Sequence, residues 1–221
     1  MELPPLSTEQ LSKLAASNVP PSQLYEILSQ YETDASLMSA GPGSAETGGG
    51  DSQLLSLFYS SFFFAHLLTK QLPEARALTQ RMPEDLRHQD PSLQNCLTLL
   101  RALWQTQHAQ VYQILRGLPW PESLQPLVRR YESFFKDDTL IAISTCYEAI
   151  RPATAENYLG LDPQAAEQGD SAIIEKFTSC GWTWDPAAKL LHPSPIAVPT
   201  ANQPSSNGIR ETMALLGNGG R

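Results

Sequence analysis

The chain has 221 residues, 41% hydrophobic and 17% charged, which is a globular composition with room for one domain or a compact pair sharing a core. Its formal net charge is -8, and six acids against Lys13 give the first 50 residues a balance of -5. Such a chain repels phosphate backbones and anionic lipid, so neither nucleic acid nor a membrane surface is an expected partner.

No basic n-region or apolar h-region follows Met1, so no secretory signal is expected. Ser7 followed by Gln10 is a capping-box pattern for a short helix with Leu11 and Leu14 on one face. Pro20 and Pro21 separate it from a second helix carrying Leu24, Ile27 and Leu28, so residues 1–32 read as short N-terminal helices. Residues 33–50 turn to Ser, Ala, Gly and Pro and read as a flexible linker.

Asp51 is a candidate N-cap for an aromatic helix with Phe58, Phe62, Phe63 and Phe64. Its apolar run, 54 to 68, is 15 residues long where a bilayer needs about 20, so a helix buried on most sides is predicted. Pro73 permits a second helix through Ala75 and Leu78, stopping before Pro83. Asp90-Pro91 opens a further pair, with Leu93, Cys96, Leu97, Leu100 and Trp104 on one face, then Val111, Ile114, Leu115 and Leu118. Stacked helical hairpins are the predicted architecture of 51–135.

Pro121 resets the chain into a helix with Leu124, Leu127, Val128, Tyr131 and Phe135 on one side. Asp137-Asp138 then read as the capping acids of a separate helix carrying Leu140, Ile143, Tyr147 and Ile150, rather than as an acid/base pair. A short helix from Thr154 closes at Gly160, with Leu161 as the apolar partner of the cap, and another from Asp170 closes at Gly181. Trp182-Thr183-Trp184, a turn at Asp185-Pro186 and a return strand through Leu190 complete a winged-helix order over 136–192. Residues 193–208 read as a Pro-rich tether to a C-terminal amphipathic helix, 209–217, with Ile209, Met213, Leu215 and Leu216. An isolated helix of that length is marginal in water, so it calls for a partner surface.

The four histidines lie at no metal-ligand spacing and no phosphate-cradling glycine motif is present, so no metal, cofactor or catalytic residue is predicted. Cys96, Cys146 and Cys180 are odd in number and read as reduced, buried small hydrophobes. Residues 164–186 carry Glu167, Asp170, Glu175 and Asp185 against Lys176, net -3, which opposes DNA binding by a winged helix. Trp182, Thr183, Trp184 and Leu190 are the candidate contact residues of the hairpin. Each tryptophan is either a core side chain or an interface anchor.

Stacked hairpins running into an acidic winged helix resemble the PCI-domain family of the COP9 signalosome, the proteasome lid and initiation factor 3. Leu72-Pro73-Glu74-Ala75-Arg76 through Arg81-Met82-Pro83, Ala102-Leu103-Trp104, Leu118-Pro119-Trp120, the stretch from Ile143 to Ile150, and Tyr158-Leu159-Gly160-Leu161 look like its signalosome branch. The resemblance covers about 54–192, while the 33–50 linker and the Pro-rich tail depart from the family pattern. It implies a mainly α fold and a non-catalytic scaffold in a hetero-oligomer of PCI-domain subunits, in cytoplasm and nucleus. Winged-helix edges would join side by side, and Ile209 to Leu216 would enter a common helical bundle. That assembly removes Nedd8 from cullins through a metalloprotease subunit with a His-x-His zinc motif, and no His-x-His occurs here. The alternatives are the equivalent lid or initiation-factor subunit and, from another class, a nucleic-acid binder.

Overall fold

The computed structural model describes residues 4–40, 50–160, 171–179 and 181–194, which form ten helices and one two-stranded antiparallel sheet. The predicted mainly α fold is what is found. Helix α1 (Thr8–Ala16) starts as its capping pattern dictates, with Ser7 Oγ accepting the Gln10 N–H at 3.2 Å and Leu11 and Ala15 buried.

Helix α2 (Pro21–Ala40) moves the expected boundary, for the helix continues well past residue 33. Leu24, Leu28, Tyr31 and Ala35 are buried and Met38 packs against the same core, so the apolar stripe runs on through the Ser- and Ala-rich stretch. Packing of that stripe supplies the stability that propensity alone would not. The remainder of the expected linker, 41–49, lies outside the described residues.

Helix α3 (Gly50–Leu68) begins at the last of the three glycines, so Asp51 sits in its first turn rather than at its cap. All four of its phenylalanines are buried, because α1, α2, α4, α6 and α8 pack around it. A helix enclosed in this way has no single polar face. Among the described residues no helix is long and apolar enough to cross a membrane.

Helices α4 (Leu72–Arg81), α5 (Glu84–Gln89), α6 (Pro91–Trp104) and α7 (His108–Gly117) follow in tight succession. Asp90 accepts the Leu93 N–H at 3.0 Å and caps α6. Leu93, Cys96 and Leu100 face the core as expected, but Trp104 is 52% exposed. Leu103 packs against the core in the last turn instead, and Trp104, one position later, is carried off the stripe.

Helix α8 (Gln125–Cys146) is one continuous helix where two were expected. No glycine or proline interrupts it after Pro126, and Asp137-Asp138 lie in its interior, so they cap nothing. Asp138 instead forms an ion pair with Lys70, whose ammonium also stands 5.7 Å from the Phe134 ring centre. The helix is the spine of the molecule. Leu127, Val128 and Tyr131 belong to the large core around α3, while Ile143 belongs to a second, smaller core.

That second core joins Ile143 and Ile150 to Ala155 and Leu159 of α9 (Pro152–Leu159), Phe177 of α10 (Ser171–Ser179), Trp182, and Leu191 of the hairpin. Tyr147 caps α8 rather than continuing it. Cys96 is buried, and burial pushes its thiol up to about 12, whereas Cys146 is exposed, contrary to the expectation of three buried thiols. Cys146 is the last residue of α8, where the helix gives way to the exposed stretch 145–148, and Cys180 lies outside the described residues.

Gly160 ends α9 in the left-handed region, at φ 60, and its carbonyl accepts from Arg116 at 2.6 Å. A Cβ at this position would overlap the buried Tyr112 ring. Gly160→Ala is therefore expected to cost about 2 to 3 kcal/mol, from the backbone conformation and the overpacking together, read as a lower urea midpoint at unchanged slope. Leu161, the expected apolar partner of this cap, lies outside the described residues.

Candidate functional site

The hairpin end is built by a helix stop. Gly181, at φ 86, follows α10; its N–H donates to the Thr178 carbonyl at 3.0 Å and the Trp182 N–H to the Phe177 carbonyl at 3.1 Å. These two bonds are the Schellman pair, and the apolar contact that accompanies the motif falls between Phe177 and Trp182. Their rings stack with centroids 4.8 Å apart and planes 19° apart. Trp182 is 2% exposed, and its indole N–H is buried with no hydrogen-bond partner among the described residues. This burial places Trp182 in the small core.

Strand β1 (Thr183–Asp185) pairs with β2 (Leu190–His192) in the register Thr183 with His192, Trp184 with Leu191 and Asp185 with Leu190. Asp185 closes the turn by accepting the Ala187 and Ala188 N–H groups at 2.8 and 3.1 Å. On its other side β2 meets Ile150, with Ile150 N–H to Leu191 carbonyl at 2.8 Å and the reverse bond at 2.9 Å. His192 adds a bond from Nδ1 to the Glu148 carbonyl at 3.0 Å, which requires the proton on Nδ1.

Because Leu191 spends both backbone groups on Ile150, the Trp184–Leu191 pair is the non-hydrogen-bonded kind. The Trp184 N–H and carbonyl therefore point away from β2, toward the open edge of the sheet. The Trp184 ring is half-buried against the second core, Thr183 is exposed and Leu190 is half-buried. Thus the predicted contact residues Thr183, Trp184 and Leu190 share one hairpin, whereas Trp182 sits beneath it. Ile209, Met213, Leu215 and Leu216, and with them the C-terminal helix, lie outside the described residues.

An open strand edge offers an unused donor and acceptor to an incoming strand. Among the described residues no His, Cys, Asp and Glu cluster is placed to hold a metal ion. One basic residue with a described side chain, Lys189, accompanies Asp185 in the hairpin turn. Sequence alone could have separated the tryptophans, since Phe177 and Trp182 stand at the C3 and C″ spacing around Gly181.

Residues 53–202 match the model of the CSN8/PSMD8/EIF3K family. The chain is 50% identical, over 100% of both sequences, to the COP9 signalosome complex subunit 8 of Emericella nidulans. It is 25% identical to the protein of the same name from Dictyostelium discoideum, over 70% of this chain and 74% of that one. The Danio rerio protein of that name is 23% identical over 61% of this chain and 67% of its own length.

Proposed function

We propose that this chain, which belongs to the CSN8/PSMD8/EIF3K family, is a non-catalytic subunit of the COP9 signalosome that docks on a neighbouring subunit through the open edge of β1. The observation that carries the proposal is the outward pair at Trp184, a backbone donor and acceptor with no partner among the described residues. Strand addition of this kind joins winged-helix units side by side. The full-length likeness to a protein named as a signalosome subunit favours that assembly over the proteasome lid or initiation factor 3. The acid excess disfavours the nucleic-acid alternative.

In this role the chain supports removal of Nedd8 from cullins by holding other PCI-domain subunits in place, in cytoplasm and nucleus, while the chemistry belongs to another subunit. The segment from Ile209 to Leu216 is a second candidate contact, through its apolar stripe.

The edge is tested by Trp184→Pro. Proline removes the outward N–H without removing a ladder bond of the hairpin but also deletes the half-buried ring, so the domain is expected to keep its circular dichroism and melt lower, with Trp184→Ala, which keeps the N–H, as the reference for the lost ring. Recovery of signalosome subunits with the tagged variant is expected to fall about tenfold, the effect of losing a central contact. Undiminished recovery would discard the edge, and recovery of proteasome or initiation-factor particles with the parent chain would discard the assembly.

A further inference from the structure

We propose that the groove between α4 and α6 is a separate docking surface for an acidic segment of a partner protein that carries apolar anchors. The groove has a volume of about 430 Å³ and is lined by Arg76 and Gln80 from α4 and by Leu97, Arg101 and Trp104 from α6. These helices pack on the large core, whereas the hairpin belongs to the small one, so this proposal stands apart from the β1 edge.

Charge selects the occupant. On a chain of net charge -8, no carboxylate lines this groove, and neither Arg76 nor Arg101, both exposed, enters an ion pair among the described residues. The Arg76 guanidinium lies 5.1 Å from the centre of the Trp104 ring. Stacking of this kind holds the planar donor fork in place, so that less side-chain entropy is lost when a carboxylate closes on it. Trp104 is 52% exposed, and the half-buried Leu97 adds apolar floor beside it.

Tryptophan and arginine are the residue types that dominate binding energy at interfaces, and here the two are already in contact. A long exposed aromatic at a helix end has nothing to gain in water. Covered by an apolar side chain whose flanking acids meet Arg76 and Arg101, it gains both burial and paired charge. A nucleic-acid strand would need a wider basic field than two arginines on an acidic molecule.

Fluorescence anisotropy on the full chain tests the groove, with a fluorescein-labelled peptide of repeated Asp-Glu-Leu-Phe as the probe. Its Lys-for-acid counterpart, an oligoglutamate and a single-stranded RNA are run beside it. The acidic apolar peptide is expected to bind more tightly than the other three and to weaken as salt rises. Arg76→Glu with Arg101→Glu is expected to lower that affinity about tenfold or more and to admit the lysine peptide. Trp104→Ala is expected to weaken binding about tenfold with no change in melting, since the ring is already half in water. Absence of binding, equal binding by the charge-reversed chain, or tighter binding of the RNA would each overturn the proposal.

Discussion

Phe64→Ala is expected to lower the free energy of unfolding by about 4 kcal/mol, near the upper end of what one core truncation does. The phenyl ring is fully buried in the middle of α3 and meets Trp120 edge-on at 5.4 Å and Tyr131 at 5.9 Å. It therefore ties the central helix to the segment before α8 and to α8 itself. Deleting it leaves a cavity that three elements would have to close together, and the enclosing helices leave little freedom to do so. Leu37→Ala is the internal reference, because Leu37 is 68% exposed and its loss should stay within about 0.5 kcal/mol. Urea unfolding of both variants by circular dichroism checks the contrast. A loss below about 1 kcal/mol for Phe64→Ala would mean that α3 is not the organising element.

The same burial explains which parts of the fold were legible from sequence. Where a helix buries one stripe, as α1, α6 and α7 do, spacing of apolar residues located it, and capping residues such as Ser7 and Asp90 fixed its start. Boundaries drawn from composition fared worse. Asp137-Asp138 resembles a helix start, yet an uninterrupted helix tolerates two acids that face water or Lys70, and a pair of charges does not break a helix as proline does. Residues 33–40 resemble a linker, yet Tyr31 and Ala35 already bind that stretch to the core. Both errors come from local chemistry being overruled by tertiary packing.

The hairpin was legible as strands and turn, but the fate of its tryptophans depends on backbone direction. Two residues apart on an extended chain predicts the same face for Trp182 and Trp184. Trp182, however, precedes the strand and belongs to the helix stop at Gly181, so it turns down onto Phe177 while Trp184 stays at the sheet edge. The open edge itself could not be read from residue types, because it follows from Leu191 bonding to Ile150, a partner about forty positions earlier in the chain.

Trp182→Ala separates stability from docking at this end of the molecule. Among the described residues the small core has seven buried members, and Trp182 is by far the largest of them. Its loss is expected to cost about 3 to 4 kcal/mol, offset slightly because the buried indole N–H has no partner to lose. This core, joined to the rest through α8 and through the packing of α9 on α7, is expected to open before the large one. Hydrogen exchange is therefore expected to accelerate at the Ile150 and Leu191 amides, which bond to each other, while amides in the centre of α3 keep their protection. Trp182→Phe, which retains a ring on Phe177 and removes the orphaned donor, is expected to recover most of the loss. If the alanine variant instead kept its protection and lost only its partners, Trp182 would be an anchor and not a core residue. The hairpin edge would then rest on something other than the Phe177 stack.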